Sequence, residues 1–249
     1  MPKGIYTDFL CKALPMPSEG PSDTGKAAEV LSRLRDDRIS RVIFAPMYYH
    51  GRPGVTGTIG HFLYTRNRAY EMLRPHIPHR IKYELAAEIA VVPGCFDDPD
   101  IIRLMIGISG YLLVALPFPL YSDEIWKDLN RLSYHTKCKP IFTNYNRFLI
   151  TYPPCEIKKI EKIQHAAFNF NIRSLGEKSM VKYVISLLEA GRTVVFGTGA
   201  HRPGRYETEM EPHFKLLRRY LNERDFTHLM INAENFCHPK KYVHHAHSS

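Results

Sequence analysis

Seven short apolar runs, rich in β-branched residues, alternate with amphipathic runs from one end of this 249-residue chain to the other. Strands that alternate with helical stretches need crossover connections, so the pattern predicts an α/β fold built on a parallel sheet. The predicted strands are Gly4–Phe9, Arg41–Pro46, Ile81–Ala90, Gly110–Leu116, Lys139–Thr143, Ala166–Asn171 and Thr193–Gly197. Asp23–Asp36 puts Ala27, Val30, Leu31 and Leu34 on one stripe, with Ser22 or Asp23 placed to cap a helix. Phe62–Leu73 and Ser122–His135 follow the same period, the second with Ser122 as its cap, and Cys155–His165 turns Ile157, Ile160 and Ile163 one way. Ser179–Ala190 stops before Gly191, and Glu211–Arg224 presents Phe214, Leu217 and Leu221 on one face. Seven strand–helix units suit a closed or nearly closed barrel as well as an open doubly wound sheet, and periodicity does not choose between them.

Length and a hydrophobic content of 44% fit one large domain, expected over residues 1–237. Residues 238–249 form a basic, histidine-rich tail; His244, His245 and His247 are potential metal donors, although a solvated tail is the expectation. No apolar run reaches the roughly 18 residues of a membrane span, so no membrane insertion is expected. The N-terminus has neither an apolar secretory core nor the look of a transit peptide. Cys11, Cys95, Cys138, Cys155 and Cys237 are widely spaced and odd in number. That pattern fits neither a zinc site nor a disulfide framework, and points to an intracellular, reducing compartment, cytoplasm or organelle matrix. The net charge of +9 admits phosphate groups, nucleic acid or an acidic protein as partner, but the lysines and arginines come in short pairs such as Lys158-Lys159, not in one tract.

Two stretches carry chemistry-bearing residues in a recognisable frame. The first is Tyr6-Thr7-Asp8-Phe9-Leu10-Cys11-Lys12-Ala13-Leu14-Pro15, followed by Ser18-Glu19-Gly20; the second is Val195-Phe196-Gly197-Thr198-Gly199-Ala200-His201. Between them lie Val42-Ile43-Phe44-Ala45-Pro46-Met47, Glu84-Leu85-Ala86-Ala87-Glu88-Ile89 and Phe142-Thr143-Asn144-Tyr145-Asn146-Arg147-Phe148. In order and spacing these resemble the motifs of the PHP (polymerase and histidinol phosphatase) superfamily, and among them the metal-dependent tyrosine phosphatases of bacterial capsule operons. The resemblance runs from about Gly4 to Lys240 and implies a distorted seven-stranded (βα)7 barrel with its site at the C-terminal ends of the strands.

In that family histidines and carboxylates hold divalent ions that activate water and clamp phosphate. Set against its motifs, the two histidines of the first frame fall on Leu10 and Lys12, a third on Met47, a fourth on Asn144, and the aspartate of the second frame on Gly199. Asp8, Glu88 and His201 persist. The resemblance thus implies a vestigial metal site at Asp8, Leu10, Lys12, Met47, Glu88, Asn144, Gly199 and His201, with no metal and no catalytic residue. Lys12 either replaces the lost cation by pairing with Glu88 or Asp8, or reaches solvent at the barrel mouth. Arg147 matches a phosphate-clamping arginine and Arg205 lies near a second, so both are anion-binding candidates.

Other catalytic patterns are absent: there is no Gly-x-Ser-x-Gly elbow, P-loop or Rossmann glycine motif. Cys11 is a conceivable nucleophile beside Lys12, with packing as the simpler role. The sequence therefore predicts an inactive, phosphatase-like protein serving as a structural or binding subunit of a larger assembly, a ribonucleoprotein among the options. The alternative is a divergent phosphoesterase holding Mn, Fe or Zn in a rebuilt centre of Glu88, His201, Arg147, Asp8 and Glu19. A third reading is an anion or nucleotide sensor that binds through Arg147 and Arg205.

Overall fold

Every strand pairing among the described residues is parallel, as the alternation predicts. The computed structural model describes residues 6–17, 19–51, 57–117, 123–135, 138–203 and 210–237. Its strands are β1 (Tyr6–Cys11), β2 (Ile39–Phe44), β3 (Met47–Tyr49), β4 (Lys82–Leu85), β5 (Glu88–Ala90), β6 (Tyr111–Ala115), β7 (Lys139–Phe142), β8 (Ala167–Asn171) and β9 (Thr193–Gly197). They form two sheets, in the order β1-β2-β4 and β3-β5-β6-β7-β8-β9. The helices are α1 (Thr24–Asp36), α2 (Ile59–Leu73), α3 (Asp123–His135), α4 (Tyr145–Thr151), α5 (Pro154–Glu161), α6 (Lys178–Glu189), α7 (Met210–Arg218) and α8 (Glu223–Cys237).

The predicted strand Ile81–Ala90 is cut in two at Ala86-Ala87, and the halves, β4 and β5, lie in different sheets. The Ala87 N–H leaves the ladder to donate to Leu104 O (3.1 Å), and the Ala86 carbonyl accepts from the buried Arg66 guanidinium (3.0 Å). A similar break at Ala45-Pro46 separates β2 from β3, since proline offers no N–H to a ladder. Counting each broken strand once gives the seven units anticipated. The sheets are stitched across the breaks by Ala45 N–H to Cys11 O (2.9 Å), Ala86 N–H to Phe44 O (2.9 Å) and Glu88 N–H to Pro46 O (3.0 Å). Among the described residues no ladder pairs β1 with β9, but past the end of β9 the Gly199 N–H donates to Leu10 O (2.8 Å) and Ala200 O accepts from the Lys12 N–H (2.9 Å).

Inside this ring sits a second apolar cluster, distinct from the large core between strands and helices. It draws Phe9 and Leu10, Ile43, Leu113, Ile141, Ala167 and Val195 from the strands. Such an interior is packed, not a pore. Phe236 of α8 belongs to it, edge-on to Phe9 (5.8 Å) and 4.4 Å from the Tyr111 ring.

Of the two caps weighed for α1, Asp23 is the one used: its carboxylate accepts from the Lys26 N–H (2.8 Å). The cap predicted at Ser122 and the tail at 238–249 lie outside the described residues. The predicted helix Glu211–Arg224 is two helices. Asn222 Oδ1 accepts from the Asp225 N–H (2.8 Å), which starts α8 where one continuous helix was expected.

Candidate functional site

The parallel strands all end on one face, and the first residues beyond them form its floor. Lys12 follows β1, Met47 opens β3, Glu88 opens β5, Thr143 and Asn144 follow β7, and Arg147 lies in the first turn of α4. These residues line one cavity of about 390 Å3. Five of the predicted site positions therefore converge: Lys12, Met47, Glu88, Asn144 and Arg147.

Lys12 Nζ lies 2.5 Å from Glu88 Oε2 and 2.7 Å from Glu19 Oε2. Glu88 is 1% exposed and Lys12 12%. The Glu88 contact is one of charge more than of aligned hydrogen bonding; its other oxygen accepts from the Thr143 hydroxyl. Glu19 is fixed in turn by the Met47 N–H, which donates to its Oε1. Burial alone would depress the Lys12 pKa, but the charges of Glu88 and Glu19 outweigh it and hold the ammonium above the usual lysine value. Of the two roles foreseen for Lys12, the ion pair is found, with Glu88 and not with Asp8.

Asp8 faces elsewhere. It is fully buried, and Oδ1 accepts from the backbone N–H of Leu10 (3.0 Å) and of Thr198 (2.9 Å), while Oδ2 takes the Thr198 hydroxyl. Burial raises its pKa, with those three donors opposing. Asp8 thus ties β1 to the end of β9. Leu10 packs in the barrel interior, Gly199 takes a left-handed turn (φ +67°), and the His201 ring meets Gly199 O through Nδ1 (2.9 Å). None of these four lines the cavity. Arg205 lies outside the described residues. Cys11 is fully buried and its pKa raised, first by burial and then by the charge of Asp8, which suits the packing role.

Sequence reasoning missed Thr143 and a set of asparagines. Asn144 adopts a left-handed conformation (φ 48°, ψ 40°), and its N–H donates to Asn169 Oδ1 (3.2 Å). The Asn171 N–H donates to Asn146 Oδ1 (2.9 Å), and its side chain reaches Thr198 O (3.2 Å). Side-chain amides thus join the ends of β7, β8 and β9. The visible signal was Phe168-Asn169-Phe170-Asn171, where asparagine interrupts a strand.

No protein-family model matches the chain, and no curated protein matches it in sequence. Solved structures do match. One reported for YwqE from Bacillus subtilis and CpsB from Streptococcus pneumoniae, described as unique metal-dependent tyrosine phosphatases, superposes with a TM-score of 0.73 at 16% identity, covering 93% of this chain and 94% of that one. Histidinol phosphate phosphatase HisK from Lactococcus lactis, solved with zinc, L-histidinol and phosphate, gives 0.50 at 12% identity over 87% and 93%. The chain has the fold of these metal-dependent phosphatases, as its motif order implied.

The residues here do not fit the metal that this fold implies. The place between Glu88 and Glu19 is filled by an ammonium, whose like charge repels a divalent ion. The neighbouring position is a leucine in the core. Among the described residues no group of three or more histidines, cysteines or carboxylates is arranged to hold an ion, and none of their helices is long and apolar enough to cross a membrane.

Proposed function

We propose that this protein is a metal-free member of the phosphatase fold that works by binding, as a subunit of a larger protein assembly, and not by hydrolysis. The observation that carries this reading is the Lys12 ammonium held between Glu88 and Glu19 at the barrel mouth. With that internal cation the buried Glu88 carboxylate has its counter-ion without an imported one, and Leu10, Lys12, Met47, Asn144 and Gly199 are positions where ligands were lost. Asp8 and His201 then serve the loops that close the strand ends. Arg147 is exposed at the cavity wall, with no ion pair among the described residues, and is the cation left to meet an anionic group of a partner. Buried free thiols at Cys11 and Cys95 suit a reducing compartment.

The test is elemental analysis of protein purified from its native source, with a phosphotyrosine turnover assay and identification of co-purifying proteins. Expected are no stoichiometric Mn, Fe or Zn, no turnover, and defined protein partners. A bound transition metal together with turnover would overturn the reading in favour of the divergent phosphoesterase.

A further inference from the structure

The opposite end of the barrel, where the strands begin, carries a second cleft, of about 550 Å3. Its wall includes Tyr111 at the start of β6, Lys162, Gln164 and His165 just before β8, and Arg192 and Thr193 at the start of β9. His165 (φ 58°) and Gly191 (φ 70°) are both left-handed, so the chain turns tightly into each of these two strands and leaves the recess between them. Among the described residues no carboxylate lines it.

Its wall gathers cations without a facing carboxylate among the described residues. Several surface cations have a carboxylate within reach, among them Lys26 with Asp23, Arg33 with Glu29, Arg35 with Asp36, Arg74 with Glu71 and Arg103 with Asp100. Lys162 and Arg192 enter no ion pair among the described residues. Arg192 is locked in place, since one guanidinium nitrogen donates to the carbonyls of Glu161 and Ile163 (2.9 Å to the latter), while its buried Nε–H has no partner. The nearest carboxylate in sequence, Glu161, is engaged by the Tyr183 hydroxyl. Lys139 adds a further cation beside the cleft, its ammonium 5.4 Å over the Tyr111 ring. Arg192 also lies over the buried Phe168 ring (5.7 Å), so its charge is held rigidly at the cleft, and like charges gathered on one wall repel each other unless an anion lies between them.

We propose that this cleft, a site separate from the barrel mouth and independent of the function proposed for it, binds a phosphate-type oxyanion, either free phosphate or the phosphate of a nucleotide-sized monoester. Arginine and lysine supply the charge, and the Thr193 hydroxyl and Gln164 amide supply neutral donors. The volume lies within the usual span of small-ligand sites.

The experiment is calorimetric titration of the full chain carrying Arg147→Gln, which silences the exposed cation of the mouth, with inorganic phosphate and separately with AMP at low ionic strength. Saturable binding of phosphate is expected, weakened about tenfold when Lys162→Glu is added. Lys162 is exposed, so that variant keeps its fold, which circular dichroism checks. AMP binding more tightly than phosphate assigns the cleft to a monoester, and equal affinity assigns it to the free ion. Absence of saturable binding in the Arg147→Gln chain, or an affinity that Lys162→Glu leaves unchanged, overturns the proposal.

Discussion

The Lys12 ammonium and the Glu88 carboxylate meet at 2.5 Å inside the mouth of the barrel, and Glu88 is almost wholly removed from water. Desolvating an ion is costly, so each member of such a pair depends on the other. Lys12→Met should therefore destabilise the fold by about 3 kcal/mol or more, because Glu88 would keep its burial and lose its counter-ion. Lys12→Met with Glu88→Gln should recover much of that loss. Urea denaturation midpoints compare the two; equal destabilisation would show that no uncompensated charge was created. Lys12 has its pKa raised in the folded state, so its contribution is complete below the ordinary lysine value and disappears only as pH climbs through the raised one.

Removing the ammonium without filling its place should create a cation site. Glu88 Oε2 and Glu19 Oε2 lie 2.5 and 2.7 Å from the Lys12 nitrogen, so Lys12→Ala leaves two carboxylate oxygens converging on a gap. Mn2+ should then raise the melting temperature of Lys12→Ala while leaving the parent protein unmoved. At about a hundredfold excess over Kd the stabilisation is about 2.7 kcal/mol. A parent protein stabilised equally by Mn2+ would mean that Lys12 does not occupy the cation position.

Much of this was written in the sequence, and the parts that were not share a cause. The strand Thr193–Gly197 has the bounds its sequence predicts because apolar β-branched runs report burial, and burial is what periodicity measures. Periodicity is silent on where an amide finds its partner. The break at Ala86-Ala87 depends on Leu104 and Arg66, distant in sequence, and so does not register in the local pattern. The short helix α4 was missed for a similar reason: Tyr145 and Phe148 are buried, but seven residues make too few turns to declare a period. At the site, motif order placed Lys12, Met47, Glu88, Asn144 and Arg147 on one cavity. It also grouped Asp8 with them, where the structure turns its carboxylate toward Thr198.

Gly20 separates two kinds of glycine. A Cβ there would stand 1.8 Å from Leu14 O and 2.7 Å from Met16 N, both backbone atoms that cannot swing aside. Gly20→Ala should cost about 3 kcal/mol or more through overpacking, and should loosen the turn that presents Glu19 to Lys12. Gly60, in the first turn of α2, has open space around it, its nearest neighbour being Thr58 Oγ1 at 3.9 Å. Gly60→Ala should be neutral or stabilising by up to about 1 kcal/mol, since alanine is the better helix former. Thermal melts of the two variants give the comparison, and similar melting temperatures would refute it.

Glu211 links the first strand to α7. Its Oε2 accepts from the Tyr6 hydroxyl (2.6 Å), whose ring stacks on Phe214 with centroids 4.6 Å apart, and its Oε1 lies 3.3 Å from both Arg38 and Lys215. The Tyr6 hydrogen bond, ahead of the basic neighbours, holds the Glu211 pKa below the usual glutamate value. A carboxylate lowered in the folded state gives stability that is present above its unfolded pKa and is lost as pH falls through the folded one. The protein should therefore lose stability on acidification through and below the normal glutamate range. Glu211→Gln should be less stable at neutral pH and flatter across that window. Tyr6→Phe should flatten it too, because it removes the leading cause of the shift while keeping the stacked ring. Denaturation midpoints collected at descending pH decide the matter: slopes in both variants as steep as in the parent would show that Glu211 titrates there as it does in the unfolded chain.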